Sequence, residues 1–155
     1  YLSAECEGLM VTICERVRAM PRARRVDPML GGAALRAWRM DPDGADRDTR
    51  ALAVRFTLEE LGMRAPGRSV EVRVPPWGAV QCLAGPVHRR GTPANVVECD
   101  DRTWLGLACG VLTWASASES GALRISGVRA DLSEVLPLLV DDGTGAATAY
   151  PGSCD

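Results

Sequence analysis

The chain has 155 residues, with 18 basic and 20 acidic side chains and a net charge of −2 at pH 7. This length suffices for one domain with a substantial apolar core, and the near balance of charge argues against a nucleic-acid-binding domain. No stretch approaches the roughly 20 apolar residues that a transmembrane helix requires.

Cysteine usage favours a reducing compartment. There are six cysteines and one histidine, and no two cysteines have the Cys-x-x-Cys spacing of zinc sites and redox dithiols. Cys82, Cys99 and Cys109 lie in apolar stretches, where a free thiol packs as a small hydrophobic group. Acidic residues, rather than the basic ones of a secretory signal, precede the short apolar run at residues 9–14. We therefore predict a cytoplasmic protein that needs neither a metal nor a cofactor.

Residues 1–28 are predicted to be a flexible or additional N-terminal segment. One interpretation of their beginning is a short amphipathic helix, and the other is an extension ahead of a start at Met20. Arg22, Arg24 and Arg25 then favour a solvated arm, with a weak contact to an anionic surface as the alternative.

Two helices are predicted before the first strand. Asp27 and the proline that follows it form a helix start, because aspartate caps free backbone N–H groups and proline suits the first turn. That helix would cover residues 29–40. A stronger helix, with a broad apolar face, is predicted at residues 50–63. Within it Arg55 and Glu59 stand four positions apart and can form a weak ion pair.

Four strands are predicted in the second half of the chain. Valine alternates with charged residues at 69–74, which predicts a half-buried strand, and residues 78–83 supply its antiparallel neighbour. Residues 94–99 form the third strand. The fourth lies at residues 123–126, where apolar and polar residues alternate again.

Two short helices are expected between the third and fourth strands. Asp100 or Asp101 is placed to cap the first of them, and Gly110 to end it. Thr113 can cap the second, which Gly121 ends.

A last helix is predicted from Asp131, although Pro137 lies inside it and must kink it or divide it into two short turns. The spacing of the apolar residues is helical. Residues 29–140 are thus predicted to be a single domain, and residues 141–155 a mobile C-terminal tail. The apolar residues of this last helix are Leu132, Val135, Leu136, Leu139 and Val140.

The order of these elements resembles that of the sterol carrier protein superfamily. Its members typically have a Leu-x-x-Leu-x-x-Gly stretch, a short helix, a Ser-Gly-x-(Leu/Val)-x-(Ile/Val)-x-Gly strand and a helix, a pattern that residues 103–127 resemble. The resemblance is closer still to an actinobacterial branch of sterol carrier family proteins. That branch carries stretches similar to residues 68–76, 79–82, 91–93 and 95–98.

The resemblance covers about residues 50–139 and implies an α+β fold. This fold has a mixed, mainly antiparallel sheet of four to five strands, covered on one face by helices, with an apolar cavity between the layers. It also implies a non-enzymatic protein that binds a fatty acid, acyl-CoA or a sterol-like lipid.

Two groups of residues are candidates for the lipid site. An apolar group would line the cavity, and a polar group would bind an acidic head group, because two arginines and a histidine suit a carboxylate or phosphate. The same residues are also compatible with a core at normal packing density and with an ordinary solvated turn. The polar group is Gln81, His88, Arg89 and Arg90; the apolar group is Val80, Cys82, Trp104, Leu105, Ala108, Trp114, Leu123, Leu132, Leu136 and Leu139.

Two alternative functions stay open at this point. One is a protein-interaction module with a filled core and no ligand, which would use Trp77 or the arginine-rich arm to bind a partner protein or a second copy as a homodimer. The other is a small enzyme centred on His88. The sequence has no Gly-x-Ser-x-Gly elbow and no phosphate-binding glycine motif, so no catalytic residue is assigned.

Overall fold

The computed structural model describes residues 24–86, 95–141 and 147–149. Four helices are found there: α1 (Pro28–Met40), α2 (Arg47–Arg64), α3 (Asp101–Ala108) and α4 (Trp114–Glu119). The predicted positions of all four are confirmed. The last five residues of the predicted N-terminal segment, 24–28, lie within this part, and residues 1–23 lie outside it.

The main sheet has four strands: β1 (Val70–Val74), β2 (Gly78–Cys82), β3 (Val96–Glu98) and β4 (Arg124–Ser126). Their order is β2-β1-β3-β4, and only the β1–β3 pairing is parallel. The predicted α+β fold with a mixed, mainly antiparallel sheet is therefore confirmed, with four strands in that sheet. Two further strands, β5 (Leu139–Asp141) and β6 (Ala147–Ala149), pair with each other in a separate antiparallel sheet.

Side-chain caps start the helices at the predicted residues. The Asp27 carboxylate accepts the N–H groups of Met29 and Leu30 at the start of α1. Asp100, rather than Asp101, caps α3, and Thr113 caps α4. Each cap satisfies backbone donors that a helix start leaves unpaired.

Helix α1 lies close against α2. A Cβ atom added to Gly31 would lie only 2.5 Å from the Phe56 ring, so glycine permits this close approach. Leu35 and Trp38 of α1 are buried together with Phe56 and Leu61 of α2. The two helices therefore form one packed unit beside the sheet.

The predicted final helix is wrong. Backbone bonds to the Leu132 carbonyl close a single turn at Val135 and Leu136, and the chain then passes through a bend at Leu138 into β5. Pro137 explains this end, since proline has no N–H to donate and disfavours a helical conformation in the residue before it. The N–H of Leu138 instead donates to the carbonyl of Ala108, 2.9 Å away.

Strand β4 is less buried than its alternating pattern predicts. Leu123, just before the strand, is buried, but Ile125 is 41% exposed. Among the strands that the structure describes, β4 pairs with β3 alone and lies at one edge of the sheet. Such an edge position leaves part of its apolar face open to solvent.

Candidate functional site

The ten apolar residues predicted to line a lipid cavity lie together in the core. Seven of them are buried and belong to one hydrophobic cluster. Three are partly buried and pack against that cluster: Val80, Trp114 and Leu136. Mutual contact explains their burial without a ligand, and their role in lipid binding stays a prediction.

Trp104 is at the centre of this cluster and is completely buried. Its indole N–H donates to the hydroxyl of Thr57 at 2.8 Å. The Thr57 hydroxyl lies 2.9 Å from the carbonyl of Ala53 and 3.0 Å from that of Val54, so it can donate in turn to α2. The buried polar groups of α2 and α3 thus satisfy each other.

The predicted head-group residues are only partly described. His88, Arg89 and Arg90 lie outside the described residues. The side-chain oxygen of Gln81 accepts a hydrogen bond from Arg68 at 3.0 Å. Gln81 also pairs in register with Glu71, on the face of β2 opposite to Val80, because side chains alternate along a strand.

An open cleft of about 1170 Å³ lies beside α2 and strand β2. Among the predicted lipid-site residues that the structure describes, Val80 alone lines it. Its volume exceeds the roughly 300–1,000 Å³ of ordinary ligand sites, as expected for a cleft that opens to solvent. The apolar part of the lining is Val26, Leu30, Leu52, Leu58, Met63, Trp77, Ala79 and Val80.

The segment before α1 forms one wall of this cleft and is held by two glutamates of α2. The Glu59 carboxylate accepts the backbone N–H groups of Arg25 and Val26 at 3.1–3.2 Å. The largely buried Glu60 forms an ion pair with Arg24 at 2.5 Å. These contacts fix the position of residues that precede the first helix.

Glu59 therefore does not form the ion pair with Arg55 that the sequence predicts. Its carboxylate binds backbone N–H groups instead, and Arg55 Nε donates to the carbonyl oxygen of Trp77 at 3.4 Å. Arg47 lies over the Trp77 ring, 5.3 Å from its centroid. An aromatic ring and two arginines thus stand together at the turn between β1 and β2.

Apart from Val80, these cleft residues are not among the predicted lipid-site residues. The sequence places Arg25 in an arm that is solvated or weakly contacts an anionic surface, and it offers Trp77 only as a residue that could bind a partner protein. Arg55 was assigned to an ordinary helix-surface pair. The cleft brings together residues from positions 24–30, 52–63 and 77–80, which no local pattern connects.

A model of the family described as bacterial SCP ortholog, SCP standing for sterol carrier protein, matches residues 46–138. The match covers more than half of the 155 residues. The chain belongs to this family. No curated protein matches it. The family match begins at the cap of α2 and includes the four-stranded sheet, so the superfamily resemblance is confirmed.

Two further findings bear on function. Within residues 24–86, 95–141 and 147–149, no three His, Cys, Asp or Glu side chains form a group that could hold a metal ion. The helices described in those ranges include none with the length and apolar character needed to cross a membrane.

Cys82 and Cys99 should resist alkylation in the native protein. Burial raises the pKa of Cys82 to about 11, and burial with the nearby carboxylates of Asp100 and Glu98 raises that of Cys99 to about 12. Because the thiolate is the reacting form, iodoacetamide at pH 8 should leave both unlabelled. Peptide mass mapping checks this result. Denatured protein is the control and should be labelled at both positions; native labelling at the denatured rate would contradict burial.

Proposed function

We propose that this protein is a non-enzymatic, cytoplasmic lipid-binding protein that holds a fatty acyl or sterol-like ligand in the cleft beside α2 and β2. Membership of the sterol carrier family supports the ligand class. The single observation that carries the choice of site is the cleft itself, which is open and lined by eight apolar residues beside a group of charged ones. The placement within the actinobacterial branch stays part of this proposal.

The lining suits an apolar chain better than a polar substrate. Leu52, Met63 and Val80, which are partly exposed, supply aliphatic surface from α2 and β2. Removing apolar area from water contributes about 25 cal/mol per Å². An acyl chain laid along these residues would therefore gain affinity in proportion to the area it covers.

Native mass spectrometry of the protein purified from cells, followed by lipid extraction, tests the proposal. We expect a lipid adduct near one per chain, or uptake of a fluorescent fatty acid by the lipid-free protein. A lipid-free mass together with no uptake would refute lipid carriage. Because the same spectra report oligomeric state, they also show whether the protein forms a homodimer.

Placing a carboxylate in the cleft should prevent uptake. Val80→Asp puts a charge beside the aliphatic lining, and burying an unpaired charge against an acyl chain is costly. We expect at least tenfold weaker binding of the fluorescent fatty acid. Val128→Asp is the matched control, since Val128 is 99% exposed and does not line the cleft. Equal affinity in both variants would exclude the cleft as the binding site.

A second candidate, a protein-interaction module, is favoured by the exposed apolar residues of α1. Met29 is 78% exposed and Met40 is 87% exposed, at the two ends of that helix. This function predicts a lipid-free protein in the spectra. It also predicts that Met29→Gln with Met40→Gln removes self-association or partner binding without changing stability.

A further inference from the structure

We propose that the cleft selects an acidic amphiphile, a single acyl chain ending in a carboxylate or phosphate, whose head group binds the guanidinium groups of Arg25 and Arg55. This inference rests on the proposed function and names the ligand class of the same cleft. It assigns the head group to arginines of α2 and of the segment before α1.

The cleft contains arginine side chains that have no ion-pair partner among the described residues. Three arginines and two carboxylates line it. The Glu59 carboxylate accepts backbone N–H groups of Arg25 and Val26, and Asp27 accepts those at the start of α1. Neither carboxylate forms an ion pair with an arginine of the described ranges. Only Arg24 of the three arginines is paired there, and its partner Glu60 lies outside the cleft lining.

The other two arginines, Arg25 and Arg55, have side-chain N–H donors that make no hydrogen bond to the described residues. Arg55 donates through Nε to the carbonyl of Trp77, and its terminal nitrogens make no hydrogen bond within residues 24–86 and 95–141. In the same ranges the side chain of the exposed Arg25 has no hydrogen-bond or ion-pair partner. A guanidinium group offers five N–H donors in a planar fork that matches a carboxylate or a phosphate.

The apolar lining sits next to these cations. Arg55 is between Leu52 and Leu58 along α2, and Arg25 directly precedes Val26. A ligand with an apolar chain and an anionic end therefore satisfies both parts of the cleft at once. A neutral alcohol or sterol of similar apolar area leaves the guanidinium groups with water alone and gains no charge-assisted hydrogen bond.

Calorimetric titration with dodecanoate, dodecyl phosphate and dodecanol tests this selection, because the three probes share one chain and differ in the head group. We expect each anion to bind roughly tenfold more tightly than the alcohol. This difference in affinity is smaller than the full contribution that charge-assisted hydrogen bonds can make. Higher salt should weaken binding of the anions and leave dodecanol unchanged. A preference for one anion over the other would identify its head group.

The variant Arg25→Gln with Arg55→Gln should remove the preference. It keeps the backbone N–H of Arg25 that Glu59 binds, so the cleft wall stays in place. We expect roughly tenfold weaker binding of dodecanoate and unchanged binding of dodecanol. The control, Arg36→Gln with Arg124→Gln, removes the same charge from exposed arginines outside the cleft and should bind like the original protein.

The outcomes separate this proposal from the function on which it rests. Equal binding of dodecanoate and dodecanol by the original protein would overturn the head-group assignment while preserving a lipid carrier. An equal loss of dodecanoate binding in both double variants would overturn it too, since net charge alone would explain the effect. Binding of none of the three probes would overturn lipid carriage itself.

Discussion

Gly31→Ala should destabilise the fold, while the same change at the neighbouring Gly32 should stabilise it. The new Cβ at position 31 would lie 2.5 Å from two ring carbons of Phe56, and 2.7 Å from its Cβ. At position 32 the nearest atom is a terminal nitrogen of Arg36 at 3.4 Å, at the end of a flexible side chain. Alanine is favoured over glycine inside a helix by about 0.5–1 kcal/mol, whereas overpacking a core costs about 1–3 kcal/mol.

Urea unfolding measures this contrast, with the midpoint as readout at constant slope. The two variants should shift the midpoint in opposite directions. Phe56→Leu provides a second test, because a smaller side chain should reduce the cost of alanine at position 31. Stabilisation by both alanines would contradict the close approach of α1 and α2.

The variants Gly31→Ala and Gly32→Ala also test whether the position of α1 affects ligand binding in the cleft. Leu30 lines the cleft and directly precedes Gly31, and Val26 lies just before the helix. A displaced α1 would therefore move one wall of the proposed site. We expect Gly31→Ala to weaken fatty-acid uptake and Gly32→Ala to preserve it.

Local signals explain why most elements were predictable. Asp27, Asp100 and Thr113 each precede a helix and satisfy its free N–H groups with their own oxygen atoms, an interaction set by neighbours two or three residues away. The alternation in β1 likewise reflects one buried face. These features depend on adjacent residues, so a single sequence contains them.

Long-range features were not predictable in the same way. Strand β3 lies between β1 and β4, and its parallel pairing with β1 depends on residues more than twenty positions apart. The apolar spacing after Asp131 is helical, yet Leu138 and Leu139 are both buried as consecutive residues, one at a bend and the other at the start of β5. Apolar spacing indicates that residues are buried, but not what they pack against.

The difference between being buried and contacting a ligand separates the predicted lipid site from the observed cleft. The periodicity identified Trp104, Leu105 and Ala108 as inward-facing, and all three are completely buried. Whether inward-facing residues surround a ligand or one another depends on the distance between layers, which no residue pattern encodes. Arg25 and Arg55, in contrast, became candidates for one lipid site only when the fold brought their segments to the same cleft.

Trp104→Ala decides between a packed core and a lipid cavity at the predicted apolar site. The indole is fully buried and bonded to Thr57, so its removal should cost about 3–5 kcal/mol of unfolding free energy. Thr57→Val should cost about 1–3 kcal/mol, because it leaves the indole N–H unpaired. Denaturant unfolding measures both values.

Trp114→Ala is the matched control, since Trp114 belongs to the same predicted set but is only partly buried, and it should cost less. Combining Trp104→Phe with Thr57→Val should cost less than the sum of the single changes, because no buried donor then lacks a partner. If Trp104 lined a ligand cavity, alanine there would instead be tolerated and would enlarge the space for lipid. A small loss of stability with tighter binding of long-chain fatty acids would therefore move the binding site from the cleft to the interior.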